Sequence, residues 1–182
     1  MIKAGNTVTL RDLTRRDVDE MARWAKYSEP EFTWANFDPR SEFDKDVWFS
    51  SGHTASNRRY AILDRNNQLI GVIGLRNIDF YRSEATLGIR LSADKVNQGY
   101  GTDAIVTLLD HAFSSMGLQR VLLDVAEDNL RARRCYEKCG FTFVGRRTSY
   151  DGTVYIDMSI DKHDFYQLHP EALRKSSRQD HD

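Results

Sequence analysis

The sequence predicts a mixed α/β protein in which a single sheet carries helices on both faces. A strand-helix-strand segment at residues 86–125 requires one parallel pair of strands, because both of its strands run in the same direction. Turn signals on either side, Asn66-Asn67 and Asp151-Gly152, predict antiparallel hairpins around that pair. Strand and helix patterns also alternate along the chain. The expected sheet is therefore mixed and mostly antiparallel.

The chain opens with a strand and a helix. Residues 7–11 alternate between polar and apolar side chains, as a half-buried strand does. Thr14 then provides an N-cap, and the apolar positions that follow predict a helix from Arg15 to about Tyr27. Glu29-Pro30 is expected to end this helix, since a proline disfavours helical backbone in the residue before it.

Residues 30–57 have the least regular pattern. Asp38-Pro39 is typical of a cap followed by proline at the first helical position, which predicts a short helix with Phe43 and Val47 on one face. The segment is dense in aromatic side chains, which either hold an irregular connection onto the core or line a pocket for an apolar or amine-bearing substrate. These side chains are Phe32, Trp34, Phe37, Phe43, Trp48 and Phe49.

Two hairpins flank the central segment. The first joins strands at 59–64 and 69–75, and the second of these strands is so apolar that we expect it inside the sheet with both faces covered. The last hairpin joins strands at 143–147 and 154–160. Residues 1–168 are thus predicted to form a single domain, and residues 169–182 a polar, disordered tail.

Composition narrows the functional classes. The 182 residues are 40% hydrophobic and 29% charged, and the net charge of −1 argues against a general nucleic-acid binder, which is usually basic. No apolar run approaches the roughly 20 residues that span a membrane, and no signal peptide is visible. Cys135 and Cys139, four apart on a predicted helix, favour reduced core residues over a disulfide or a zinc site. We therefore expect a cytoplasmic protein with no metal ion and no nucleic-acid or membrane partner.

A glycine loop dominates the central segment. It lies between the strand that ends at Leu91 and a helix predicted from about Thr102 to Met116, and it reads Asn97-Gln98-Gly99-Tyr100-Gly101-Thr102. Glycines let the backbone approach an anion, and the helix that begins here presents N–H groups and the positive end of its dipole. The loop therefore predicts a pyrophosphate site, and the simpler alternative is a plain loop with a helix cap.

The same loop also matches a loose dinucleotide fingerprint. Gly99 to Ala104 reads G-x-G-x-x-A, and Asp124 on the next strand lies near the expected position of a ribose-binding acid. Polar residues separate Leu91 from Gly99, however, whereas a dinucleotide-binding fold turns directly from strand to glycine. About 80 residues of mostly antiparallel pattern also precede the loop, and only one strand-helix-strand unit is present. This alternative is disfavoured.

A second helix follows the next strand, at 121–125, and completes the motif. It opens at Asp128-Asn129, carries Tyr136 on its apolar face and ends at Gly140, with Phe141 as the apolar partner of the helix stop. From Asn129 onward the chain reads Asn-x-x-Ala-x-x-x-Tyr-Glu-Lys-x-Gly-Phe.

Together these motifs resemble the GCN5-related N-acetyltransferase (GNAT) superfamily, and most closely its ribosomal-protein-alanine and spermidine/spermine-type branch. The resemblance runs from the first strand to Asp157, and its most specific part is the spacing from the glycine loop to the pattern at Asn129. One departure is Val96, where many members carry Gln or Arg. The resemblance implies the GNAT fold, in which the central parallel pair of strands splays apart.

The resemblance also implies that acetyl-CoA binds where these strands separate. The pantetheine arm would pair with backbone groups of 89–91, and the pyrophosphate would lie on the amides of 97–102. Asn129 would hold the arm from the other side, or would serve only as a helix N-cap. The implied cofactor-binding residues are Ile89, Arg90, Leu91, Asn97, Gln98, Gly99, Tyr100, Gly101, Thr102 and Asn129.

The implied reaction is direct transfer of the acetyl group to a primary amine in a ternary complex. A base must deprotonate the amine, whose pKa is about 8 for an α-amine and about 10.4 for lysine. Glu84 is the candidate base, although many relatives place an acid nearer to Thr86. Tyr136 matches the family's general acid, with a plain core tyrosine as the alternative, and the Ile89 N–H would stabilise the oxyanion.

The identity of the acceptor stays open at this point. A protein N-terminus or ribosomal protein is common in this branch, and a polyamine such as spermidine or an amine-bearing antibiotic is the alternative. A CoA-binding sensor without turnover is a hypothesis from another class. A homodimer is expected by analogy with the family alone.

Overall fold

The structure, a computed structural model, describes residues 2–172. Its strands there are β1 (Lys3–Ala4), β2 (Thr9–Asp12), β3 (Arg58–Leu63), β4 (Leu69–Asp79), β5 (Glu84–Leu91), β6 (Arg120–Ala126), β7 (Thr142–Thr148) and β8 (Val154–Asp161). Its α-helices are α1 (Arg15–Met21), α2 (Glu42–Ser51), α3 (Tyr100–Ser114), α4 (Leu130–Lys138) and α5 (Lys162–Leu168). Short 3-10 helices lie at Pro30–Ala35 and Ala93–Lys95.

The strands form one eight-stranded mixed sheet in the order β1-β2-β3-β4-β5-β6-β8-β7. The pair β5–β6 is parallel, whereas β1–β2, β2–β3, β3–β4, β6–β8 and β7–β8 are antiparallel. The predicted fold class is therefore confirmed. The apolar strand β4 lies between β3 and β5 and is buried along most of its length, as its sequence predicted.

Several predicted elements were wrong in their extent. The first helix ends at Met21 rather than near Tyr27, because the side chain of Asn36 accepts from Tyr27 N at 2.7 Å and donates to Tyr27 O at 3.1 Å, which removes that backbone from the helix. The second helix is capped by Ser41, whose hydroxyl accepts from Asp44 N, and not by Asp38-Pro39. The short strand β1 and the helix α5 were not predicted from the sequence.

The chain forms two compact units. Of the described residues, 2–78 and 87–108 make up the first unit, and 79–86 and 109–172 the second. In the first unit one face of β3 and β4 is covered by α1, and we call it the α1–α2 face. Its core cluster is Leu13, Val18, Met21, Ala61, Leu63, Leu69 and Val72, against which Trp24, Phe37, Trp48 and Phe49 pack.

The start of α1 is held by a buried carboxylate. Asp17 accepts from Thr14 N at 2.7 Å and Thr14 Oγ1 at 2.8 Å, and Arg11 donates to its two oxygens at 2.6 and 2.7 Å. Burial by itself would raise the pKa of Asp17, but the hydrogen bonds from Arg11 and Thr14 outweigh it, so the pKa is lowered. The predicted cap at Thr14 is thus part of a reciprocal capping box.

The second unit is built on β6, β7 and β8. Strand β6 pairs with β8 along its whole length, from Arg120 to Ala126. Helix α4 ends at Lys138, and Gly140, just after its C-cap, has a φ of +101°. Phe141 N donates to Tyr136 O at 3.1 Å, which confirms the predicted helix stop.

The described chain continues past the predicted end of the domain. His169 Nε2 lies 3.3 Å from the carbonyl oxygen of Cys139, and Ala172 is buried. Residues 173–182 of the predicted tail lie outside the described residues. The single-domain organisation stays a prediction.

Candidate functional site

The glycine loop turns the chain into the N-terminus of α3. Asn97 and Gly99 have φ of 60° and +84°, so two left-handed residues bend the backbone just before the helix. Helix α3 begins at Tyr100, slightly earlier than predicted. Because the first turn of a helix leaves N–H groups without intrahelical acceptors, this end of α3 is suited to bind an anion. An alanine Cβ at position 99 would have no atom within 4 Å, so the space over the loop is open.

One residue that fixes this helix was missed by the sequence analysis. Asp103 accepts hydrogen bonds from Asn6 N at 3.0 Å, Thr7 N at 2.6 Å and Val8 N at 2.9 Å, as well as from the Thr7 hydroxyl. Its carboxylate therefore ties the first turn of α3 to the β1–β2 connection. An acid in a first helical turn is an ordinary sequence signal, but its partners lie almost a hundred residues away, where no local pattern points.

Strand β5 carries the residues at which we expect the cofactor arm. Its parallel register with β6 runs from Glu84↔Arg120 to Thr86↔Leu122, and residues 87–91 lie beyond this paired stretch. On its other side, the backbone just past the end of β5 is hydrogen-bonded to β4, because Ser92 N donates to Ile70 O. Tyr27 Oη donates to Leu91 O at 3.1 Å and holds the end of the strand. An edge of this kind can accept a pantetheine arm through backbone hydrogen bonds.

Of the aromatic side chains in residues 30–57, some pack on the core and others are exposed. Phe37, Trp48 and Phe49 pack against the core, whereas Trp34 and Phe43 are 65% and 73% exposed. An open cleft of about 210 Å³, solvent included, is lined by nine residues. They include Trp24, Tyr27, Asn36, Phe37 and Leu91.

Three acidic residues around this segment contact cations. Arg15 contacts Glu42 at 2.8 Å and Asp46 at 2.5 Å, and Lys26 contacts Asp38 at 2.8 Å. Arg15 also contacts a third carboxylate, so the negative charge of these residues is only partly balanced.

In the second unit Tyr136 faces inward from α4. It is 8% exposed, its ring centroid lies 6.0 Å from that of Phe141, and its hydroxyl has no hydrogen-bond partner among the described residues. Burial raises the pKa of Tyr136 well above its ordinary value, and the nearby Cys135 and Asp124 act in the same direction. The phenol is thus protonated at neutral pH, as a proton donor must be.

Asn129 is the N-cap of the same helix. Its Oδ1 accepts from Ala132 N at 3.1 Å, so the N-cap interpretation is confirmed. The cap uses the oxygen of the amide and leaves its NH₂ group as a donor.

Glu84 lies at the beginning of β5 among positive charges. Its carboxylate is 3.7 Å from the Arg82 guanidinium, and Arg120 lies opposite it in the parallel register. The rise of about 3.3 Å per residue places its Cα about 16 Å along the strand from that of Ile89. Glu84 therefore cannot touch a group bound at Ile89, and any proton transfer between them requires water.

Residues 2–172 contain no group of three or more His, Cys, Asp or Glu side chains arranged to hold a metal ion. No helix in that range is both long and apolar enough to cross a membrane.

Comparisons with known proteins extend these observations. The family model for the acetyltransferase (GNAT) domain matches residues 7–142. The chain is 28% identical over 149 residues to a spermidine N(1)-acetyltransferase of Vibrio cholerae serotype O1, which covers 76% of this chain and 80% of that protein. It is 26% identical over 167 residues to an aminoglycoside N(6')-acetyltransferase type 1 of Klebsiella pneumoniae, with 84% and 83% covered.

Solved structures agree on the fold. The spermidine N-acetyltransferase from Vibrio cholerae, crystallised with CoA and spermine, gives a TM-score of 0.76 at 23% identity, with 87% of this chain and 98% of that chain covered. A dodecameric structure of that enzyme gives 0.71 at 24% identity, with 87% and 96% covered. With its glycine loop, its mixed sheet and the match of the family model, this chain belongs to the GNAT acetyltransferase family and is an acetyl-CoA-dependent N-acetyltransferase.

Proposed function

We propose that residues 89–91 and 97–102 hold acetyl-CoA and that Tyr136 donates the proton to the departing thiolate. The observation that carries this proposal is the left-handed turn at Gly99 that leads into the first turn of α3. It supports a pyrophosphate site on the amides of 97–102, and the edge of β5 supports backbone pairing at Ile89 and Leu91. The Ile89 N–H would then stabilise the oxyanion of the transition state.

The buried phenol of Tyr136 stays protonated in the free enzyme, and the same burial makes it a weaker acid. It can therefore protonate the departing thiolate only where exclusion of water raises the basicity of the thiolate as well. Asn129 would contribute its amide NH₂ to the cofactor while its oxygen caps α4.

Glu84 is proposed as the base that acts through water. Its carboxylate lies 3.7 Å from Arg82 at the beginning of β5, and its distance of about 16 Å along the strand from Ile89 calls for a chain of several waters. The base must remove a proton from an ammonium group, so the rate should rise with pH until the amine is neutral.

Release of CoA from acetyl-CoA is the direct test. Wild type and Tyr136→Phe are assayed with a panel of peptides, polyamines and aminoglycosides, and Tyr155→Phe on β8 is the matched control. Loss of a general acid should lower kcat by roughly 10²- to 10⁴-fold in Tyr136→Phe and leave the control near wild type. Glu84→Gln should lower kcat by roughly 10²-fold and keep the rise of the rate with pH that reports the amine.

Two results would contradict the assignment. An unchanged kcat in Tyr136→Phe, with CoA affinity intact, would remove Tyr136 from the mechanism. Tight CoA binding without thiol release on any amine would favour the sensor hypothesis.

The acceptor, the assembly and the location are also proposals. Relatives named for spermidine and aminoglycosides support amines that range from polyamines to antibiotics, beside a protein N-terminus. Self-association is proposed, with a homodimer as the expected form, and light scattering on the purified chain would give the number of subunits. Cys135 and Cys139, both present as thiols rather than as a disulfide, support a reducing, cytoplasmic location.

A further inference from the structure

Two arginines lie on the α1–α2 face of the first unit. Arg59 of β3 pairs in register with Gly74 of β4, and the next residues on the same face are Ala61 and Val72 of the core cluster. A Cβ at Gly71 would touch Leu91 Cδ2 and Ile62 Cδ1, so Leu91 faces the opposite side. Because side chains alternate along a strand, Arg90 faces the α1–α2 side, as Arg59 does.

Aromatic rings connect these two arginines. The Arg59 guanidinium carbon lies 4.2 Å from the ring centroid of Trp48, and that of Arg90 lies 5.9 Å from the ring centroid of Phe37. The Phe37 and Trp48 rings are themselves in contact, with centroids 5.0 Å apart. The result is a continuous row of guanidinium, two rings and guanidinium, which holds both cations in place.

Neither guanidinium has an acidic partner within the described residues. Arg59 donates to Trp48 O and to Ser51 Oγ at 3.1 Å, whereas no hydrogen bond or ion pair to Arg90 occurs in the described part of the chain. Burial lowers the pKa of Arg90, and burial together with the charge of Arg90 lowers that of Arg59. A half-buried cation of this kind is stabilised by an anion that brings its own charge.

Space for a ligand lies beside Arg90. Gly88 shares its face of β5 and is two residues away, about 7 Å along the strand. An ideal Cβ on Gly88 would have no atom within 4 Å, and Gly88 is exposed. The open space over Gly88 therefore lies beside the positive charge of Arg90.

We propose that the acceptor is an amine that also carries a carboxylate, that it lies over Gly88, and that Arg90 binds the carboxylate while Arg59 adds positive charge. This names the acceptor class of the acetyl-transfer site and rests on the proposed function. The planar guanidinium matches a carboxylate with two parallel hydrogen bonds. A polyamine has only positive charge and is disfavoured at the same place.

The test compares acetylated products that differ only in this charge. N-acetylphenylalanine, N-acetylleucine and N-acetylglycine are titrated calorimetrically into the CoA-saturated protein, each beside its carboxamide. Wild type should bind the acids on the order of 10-fold or more tightly than the amides. In Arg90→Gln the affinities for acid and amide should agree within about twofold. Arg90→Lys keeps the charge but not the planar guanidinium, so its preference for the acids should lie between those of wild type and Arg90→Gln. The control is Arg58→Gln, an exposed arginine beside Arg59, and it should keep the wild-type ratio.

The rate of acetyl transfer provides a second test of the proposal. CoA release is measured with phenylalanine, phenylalaninamide and spermidine, and phenylalanine should have the highest kcat/KM in wild type. Equal binding of acids and amides by wild type, a retained ratio in Arg90→Gln, or spermidine as the best substrate would each overturn the proposal. If no amine releases CoA, the proposed acetyl transfer fails, but the product titration on wild type still decides whether the carboxylate site exists.

Discussion

Replacing Gly99 with alanine tests the cofactor loop through its backbone alone. Gly99 has a φ of +84°, a region that an L side chain disfavours by about 1–2 kcal/mol. The added methyl group would meet no atom within 4 Å, so no steric clash contributes to the effect. In the free protein the change in free energy is therefore conformational, and any contact of the methyl group with the bound pyrophosphate would add to the loss of CoA affinity.

The exposure of the loop determines where this strain appears. Gly99 and its neighbours Asn97 and Gln98 are exposed, so the free variant can relax to a backbone that alanine favours. Binding of CoA would then have to restore the turn, and the affinity should fall by the same 1–2 kcal/mol, which is about 5- to 30-fold. Thermal stability should change less than it would at a rigid site.

Calorimetric titration of CoA into Gly99→Ala measures this loss. The matched control is Gly152→Ala in the β7–β8 turn, since Gly152 has a φ of +86° and a Cβ there also meets no atom within 4 Å. The control should bind CoA as wild type does. A Gly99→Ala affinity within twofold of wild type, or an equal loss in both variants, would refute the assignment of the loop to the pyrophosphate.

Two further predictions concern stability, measured by urea unfolding. Asp17→Asn should lower the free energy of unfolding by about 1–3 kcal/mol at pH 7, because the ion pair and cap at the start of α1 lose their carboxylate. The pKa of Asp17 is lowered in the folded state, so this stabilisation is present above pH 4 and is lost as the pH falls through the folded pKa. The free energies of unfolding of wild type and Asp17→Asn should therefore converge at low pH. A difference that stays constant with pH would contradict the reasoning. Gly140→Ala should cost more than Gly117→Ala, although both residues end helices with positive φ, because only at Gly140 would the Cβ lie 2.9 Å from side chains of β8 and α5. Equal urea midpoints for these two variants would show that those side chains move aside freely.

Local backbone chemistry explains which elements could be predicted. Gly117, Gly140 and Gly152 all adopt the positive φ that their predicted helix ends and turn require, and Asn67 does so in the first hairpin. Each depends on a few consecutive residues. The end of α1 could not be predicted in this way, because the Asn36 side chain that captures the Tyr27 backbone belongs to another segment.

The cofactor loop and its family follow from the sequence by itself. Gly99, the helix after it and the spacing to Tyr136 are consecutive features whose chemistry is carried by the order of residues, so no tertiary information was needed to find them. The same holds for the fold class, which depends on periodicity and turn residues.

Only the tertiary structure brings together the arginines of the proposed acceptor site. Arg59 and Arg90 lie on different strands, and nothing in their local patterns distinguishes them from surface arginines. They reach one face through the pairing of β3 with β4 and the alternation of β5, and the Phe37 and Trp48 rings join them across that face. Contacts between distant segments depend on sheet register and packing, which a single sequence does not encode locally.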